Sequence, residues 1–149
     1  MTSVEFNALL VPVDFSAASE AALHYALQLA GPEATVIMQH VVDPSLVALV
    51  VEHEFATADD AERRMRDQAR SQLAALRDSV ETTAEIDVLV STGLPFLEIL
   101  RKSEDFVVDA IVLGRVGARG AIEKLLFGSV AEKVLRGSKR PVIVLPLSD

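Results

Sequence analysis

Four apolar runs that do not alternate with polar residues set the tightest limit on the architecture of this chain: Asn7 to Val13, Thr35 to Val42, Val107 to Leu113 and Pro141 to Leu145. A strand wetted on one face alternates apolar with polar side chains. A continuous run instead suits a strand covered on both faces, as in a parallel sheet. Thr35 to Val42 is also rich in β-branched residues, which favour extended backbone. Pro12 donates no ladder hydrogen bond, so it is expected at the carboxyl end of the first strand, where the chain leaves the sheet. A fifth segment, Ala84 to Val90, does alternate. Ile86, Val88 and Val90 share a face with Ala84 while Glu85 and Asp87 point the other way, the half-solvated pattern of an edge strand.

Helical segments separate these strands. Ser16 is placed to cap a helix from Ala17 to Ala30, with Ala22, Leu23, Ala26, Leu27 and Ala30 at helical spacing and Gly31-Pro32 as the stop. Thr57-Ala-Asp-Asp60 resembles a capping box, and Ala61, Met65, Ala69, Leu73, Leu76 and Val80 then form one apolar face. Pro95 suits the first position of a short helix running to about Ser103. A last helix is expected from Ser129 to about Arg136, closed by Gly137. Asp43 to Ala56 has little periodicity, with Pro44 interrupting the chain, and is expected to be a loop with a short helix. Strand and helix thus alternate five strands deep. That implies an α/β fold, a doubly wound parallel sheet with helices on both faces, in one domain spanning residues 1–149.

Composition narrows the function. There is no cysteine, hence no disulfide framework or thiolate metal site, as expected in a reducing cytoplasm. The first residues lack a signal peptide's basic region and apolar core, and no apolar run approaches a membrane span. The net charge of −8 opposes binding to nucleic acid or an anionic membrane. A small anionic ligand remains compatible with it, because such a ligand responds to the local field.

That local field is found after the fourth run. Of the seven glycines, Gly114, Gly117, Gly120 and Gly128 fall within one stretch, flanked by Arg115, Arg119 and Lys124 and ending at Gly128-Ser129 before the last helix. A glycine-rich turn leading to a helix N-terminus offers N–H groups and a positive dipole to an anion. The same glycines would serve a plain strand–loop–helix joint equally well. In open α/β sheets, ligands bind beyond the carboxyl ends of the strands where the strand order reverses. If the first and fourth strands flank that reversal, Asp14 faces the same crevice as the glycine loop. Asp14 has two readings, as a complement to the dipole of the helix that follows and as a partner for ribose hydroxyls or hydrated Mg2+. Val41 and Val42, ending the second strand, would flank a base or simply fill the core.

Leu10-Val-Pro-Val-Asp-Phe-Ser16, His40-Val-Val-Asp-Pro44, Gly93-Leu-Pro-Phe-Leu-Glu-Ile-Leu100, the Gly114–Ser129 stretch and Pro141-Val-Ile-Val-Leu145 together resemble the universal stress protein family, in register over nearly the whole chain. The resemblance implies strand order 3-2-1-4-5 and a homodimer. In the family's ATP-binding branch, Gly-x-x-Gly is followed after nine residues by Gly-Ser or Gly-Thr. Carried over, Gly114, Arg115, Gly117, Gly120, Gly128, Ser129 and Val130 would surround ribose and phosphates, chiefly through backbone N–H groups and the Ser129 hydroxyl. Pro12 and Val13 would lie beside the base, Val41 would hydrogen-bond adenine through its main chain, and Asp14 would face the ribose or the Mg2+ (or Mn2+) of the nucleotide. This sequence departs from the pattern in one place: ten residues separate Gly117 from Gly128. The inserted residue, most simply Ala118, is either accommodated or misplaces an N–H group.

No enzymatic constellation accompanies these motifs. His24, His40 and His53 have no ligand-like spacing, Ser129 has no evident base, and neither a nucleophile elbow nor a Walker motif is present. The expected function is a stress-response regulatory module that binds ATP and alters a surface read by unidentified protein partners. The alternatives are a dimeric interaction protein that has lost nucleotide binding through the altered loop and, further off, a slow ATPase. Under the implied strand order Val142, Ile143, Val144 and Leu145 form an apolar edge without protective charge, so pairing with a second copy across a two-fold axis is expected there.

Overall fold

Leu9, Leu10 and Val11 have no exposed surface, which fixes the first strand in the middle of the sheet. The computed structural model describes residues 4–54, 57–115 and 128–146. Parallel strands β1 (Ala8–Pro12), β2 (Thr35–Val42), β3 (Glu85–Thr92), β4 (Ala110–Gly114) and β5 (Val142–Leu145) pair in the order β3-β2-β1-β4-β5. β1 therefore has β2 on one side and β4 on the other, with Leu10 level with Ile37 and Ile111. Asp109 helps hold β4 there. Its carboxylate accepts the amides of Asn7 (2.7 Å) and Ala8 (2.9 Å) at the start of β1.

Side chains alternating across the strands feed two cores. Leu9, Val11, Val36, Met38 and Val112 pack beneath α1 (Ala17–Leu29), α2 (Pro44–Glu54) and α3 (Ala58–Ser79). Leu10, Ile37, Ile111 and Leu113 pack beneath α4 (Pro95–Asp105) and α5 (Ser129–Gly137). Burying each such Leu, Ile or Val side chain contributes about 1.5–3 kcal/mol, and this is why the runs are continuous. Only β3 alternates, because Glu85 and Asp87 stay exposed at its free edge while Ile86, Val88 and Val90 join the α1/α3 core. At the other edge all four residues of β5 are half-buried.

The caps lie where the sequence placed them. The Ser16 hydroxyl accepts from the Ser19 amide (3.2 Å), and the Thr57 hydroxyl from that of Asp60 (3.1 Å). The larger departures from expectation are at α2 and at the start of β4. Pro44 begins an eleven-residue helix, α2, instead of breaking the chain, since its missing N–H is harmless at a helix start.

Val107 and Val108, expected to open the fourth strand, instead terminate α4, and β4 begins at Ala110. The Val107 amide bonds the Glu104 carbonyl (3.2 Å) and the Val108 amide that of Ser103 (3.1 Å), a Schellman ending. Val107 occupies the left-handed position (φ 49°), where glycine is normally found, and is 62% exposed. A β-branched residue is strained there and buries little in return. Val107→Gly is expected to stabilise the fold by about 1 kcal/mol, read as a raised urea midpoint; a lowered midpoint would contradict this account of the turn.

Candidate functional site

The strand order reverses between β1 and β4, and the chain leaves both strands at the same end of the sheet. After Pro12 the backbone stays tied to β2 for one more residue, the Val13 amide donating to the Gln39 carbonyl (2.8 Å). Val13 is buried and Asp14 is exposed. The Asp14 carboxylate accepts from both the amide and the hydroxyl of Ser16, so it organises the turn that leads into the Ser16 cap. Both readings of Asp14 are compatible with this: one oxygen serves the turn, and the residue faces solvent beside the reversal. Phe15, between them, takes a left-handed backbone (φ 66°).

Continuing the β1–β4 register puts Val13 level with Gly114. Here the reason for a glycine is packing. A Cβ on Gly114 would lie 2.8 Å from the Ala18 Cβ and 3.1 Å from the Ala18 carbonyl carbon, inside helix α1. The Arg115 amide donates to Leu145 (3.0 Å), and the Arg115 carbonyl accepts from Gly128 (2.8 Å). The chain thus departs at Arg115 and returns at Gly128 to almost the same point. Gly117 and Gly120, with Ala118, Arg119 and Lys124, lie outside the described residues.

The Gly128 N–H donates to that Arg115 backbone carbonyl. Gly128 acts as the N-cap of α5 in extended conformation, with no side-chain acceptor. The amides of Ser129 and Val130, in the first turn, have no partner within the helix. They sit at the positive end of its dipole, with Ser129 exposed and Val130 half-buried.

On the other side of β1, successive β2 residues direct their backbone polar groups to alternate neighbours. The Gln39 carbonyl faces β1, where it accepts from Val13, and the Val42 carbonyl faces β3, where it accepts from Gly93 (3.0 Å). The Val41 N–H and C=O therefore point toward β1 at a level that β1, ended at Pro12, no longer reaches. A donor and an acceptor side by side match the edge of a purine. The Val41 side chain is half-buried against the α4/α5 core, and Val42 is a core residue.

Among the described residues, no group of three or more His, Asp or Glu side chains is arranged to hold a metal ion. Asp14 could contribute one carboxylate to a cation carried in by a polyphosphate, but not a binding site of its own. A shallow groove of about 300 Å³ lies elsewhere, between α4 and the end of α5, lined by Leu97, Leu100, Arg101, Glu104, Gly137 and Lys139. It is mostly apolar and far from the strand reversal. No described helix is long and apolar enough to cross a membrane.

His40 has no ligand-like spacing in the sequence. Here its ring lies under Phe15, 4.9 Å between centroids, with Nδ1 2.8 Å from the Val13 carbonyl. Only the His40-Val41 neighbourhood at the end of a strand hinted at this.

Comparison with known proteins gives a consistent result. Residues 5–146 match the Universal stress protein family. The universal stress protein MJ0577 of Methanocaldococcus jannaschii is 27% identical, covering 96% of each chain. The structure solved for MJ0577 superposes with a TM-score of 0.84 over 98% of this chain and 99% of that one, at 26% identity. A universal stress protein solved in complex with cAMP shares the fold, with a TM-score of 0.62 and 22% identity over 97% of this chain and 100% of its own.

Proposed function

Because the chain belongs to the universal stress protein family, we propose that it is a stress-response protein that binds an adenine nucleotide, ATP with Mg2+, at the β1/β4 reversal and does not turn it over. One observation carries this reading. Strand order β3-β2-β1-β4-β5 gathers the Asp14 corner, the Val41 backbone pair and the first turn of α5 at one end of the sheet. Adenine would meet Val41, with Pro12 and Val13 beside it. Ribose or the nucleotide's cation would meet Asp14, and the phosphates would lie against the amides of Ser129 and Val130. A cyclic nucleotide on another protein of this fold is in keeping with the same chemistry. The amide lost at Gly128 reduces the donor set without emptying it.

Titration calorimetry with ATP and Mg2+ tests the proposal. Saturable binding is expected, with GTP at least tenfold weaker, since its purine edge reverses the donor and acceptor that Val41 reads. The chain has no tryptophan and one tyrosine, Tyr25, so co-purified nucleotide would also dominate its near-ultraviolet spectrum. No heat and no nucleotide spectrum would favour the alternative, an interaction module that has lost its ligand.

The family resemblance and the edge position of β5 support a homodimer through Val142, Ile143, Val144 and Leu145. Unpaired N–H and C=O groups on a half-buried apolar edge invite antiparallel pairing across a two-fold axis. The chain is expected to sediment as a dimer at micromolar concentration, and a monomer there would overturn the assignment.

A further inference from the structure

We infer that His40 is a positioning residue that latches the Val13-Asp14-Phe15 corner in the shape a nucleotide requires; this rests on the nucleotide reading above. A carbonyl oxygen only accepts, so a contact of 2.8 Å between Nδ1 and the Val13 carbonyl requires the proton on Nδ1. In the neutral ring that is the Nδ1–H tautomer, and it ties the ring to the backbone one residue before Asp14. The neighbouring Val13 amide is held by the Gln39 carbonyl (2.8 Å), so both polar groups of Val13 are bound to consecutive residues of β2. The Phe15 ring packs against the same His40 imidazole, 4.9 Å between ring centroids.

Phe15 holds a left-handed backbone (φ 66°). A bulky residue keeps that conformation only where its surroundings over-determine it. The bond to Val13 and the ring contact with Phe15 bracket Asp14 from both sides and converge on one side chain. Asp14 sits between the two held residues, with its carboxylate bonded to Ser16. His40 also precedes Val41, so one stretch of β2 would present the purine-reading backbone and orient the ribose-side carboxylate.

The test uses the full chain and two variants. His40→Phe keeps a ring against Phe15 and removes the donor, whereas His40→Asn restores an amide N–H close to the Nδ1 position and gives up the ring. In ATP–Mg2+ titrations, His40→Phe is expected to bind about tenfold more weakly than the unaltered protein, and His40→Asn to recover most of that loss. Nitrogen NMR of the unaltered protein is expected to show the Nδ1–H tautomer. Equal binding by His40→Phe, no recovery by His40→Asn, or an Nε2–H tautomer would each overturn the latch. The tautomer decides the matter even if a variant fails to fold. If the unaltered protein binds no nucleotide, the nucleotide reading itself falls; if it binds and His40→Phe binds as well, only the latch falls.

Discussion

Ser129→Asp is expected to make the protein slightly more stable and to weaken its nucleotide binding strongly. Ser129 is the first residue of α5 and exposed, and the Gly128 cap supplies no side-chain acceptor for the first-turn amides. A carboxylate there complements the dipole and stabilises by about 0.3–1 kcal/mol, raising the thermal midpoint by about 1–3 °C. The same carboxylate would stand where the phosphates are proposed to lie. Repulsion from each phosphate charge at contact distance is about 1 kcal/mol even at the dielectric constant of water, and more beside the protein. Over several charges the affinity for ATP should fall at least about a hundredfold. Ser129→Ala, which removes a hydroxyl but leaves the amides, should lose no more than about tenfold. A fold defect would move stability and binding together, so the opposite signs are diagnostic. Undiminished ATP binding by Ser129→Asp would remove the α5 N-terminus from the site.

Gly114→Ala should be a damaging single-methyl change. The new Cβ would press on the Ala18 Cβ at 2.8 Å and on its carbonyl carbon at 3.1 Å. Backbone cannot swing aside, and α1 is anchored through the wholly buried Ala22, Leu23 and Ala26. Overpacking of this kind costs about 1–3 kcal/mol, or roughly 2–4 °C in thermal midpoint for each kcal/mol in a chain of this size. Gly137→Ala is the control. Its Cβ would also meet an atom at 2.8 Å, but that atom is Cδ1 of Leu100, the tip of a side chain able to turn away. Calorimetric scans should show a clear drop for Gly114→Ala and little change for Gly137→Ala; equal effects would mean that α1 is not held tightly against β4.

The sheet was legible because burial on two faces leaves a one-dimensional trace. Leu9 to Val11 and Ile111 to Leu113 are continuous because helices cover both sides, and Glu85 and Asp87 alternate because β3 has an open edge. Ser16, Thr57 and Pro95 announced helix starts, since a cap is a local arrangement of neighbours in sequence. The α2 helix was harder to see. Apolar residues occur around its whole circumference, with Val47 buried and Leu46 and Leu49 exposed, so no helical period stands out. Val107 and Val108 read as strand because β-branched residues favour it, but the ending of α4 holds Val107 in the left-handed region against that preference.

The positions of the candidate residues were legible in part: Asp14 and Val41 lie at or just beyond strand ends and Ser129 opens a helix, as their local sequence suggests. What the sequence could not reveal were partners distant along the chain: Ala18 behind Gly114, the Arg115 carbonyl on the Gly128 amide, and the Val13 carbonyl on His40. The first gives Gly114 a packing role and the second gives the Gly128 amide a partner within the backbone. The third gave a role to a histidine whose spacing suggested none.

On the proposed reading, backbone groups on both sides of the β1/β4 reversal recognise one adenine nucleotide. Amide NMR during addition of ATP and Mg2+ tests it residue by residue. Saturating shifts at Val41, Asp14, Ser129 and Val130, following a single binding curve, are the predicted result. Saturable shifts confined instead to Leu97, Leu100 and Lys139, around the α4/α5 groove, with those four amides unmoved, would contradict it.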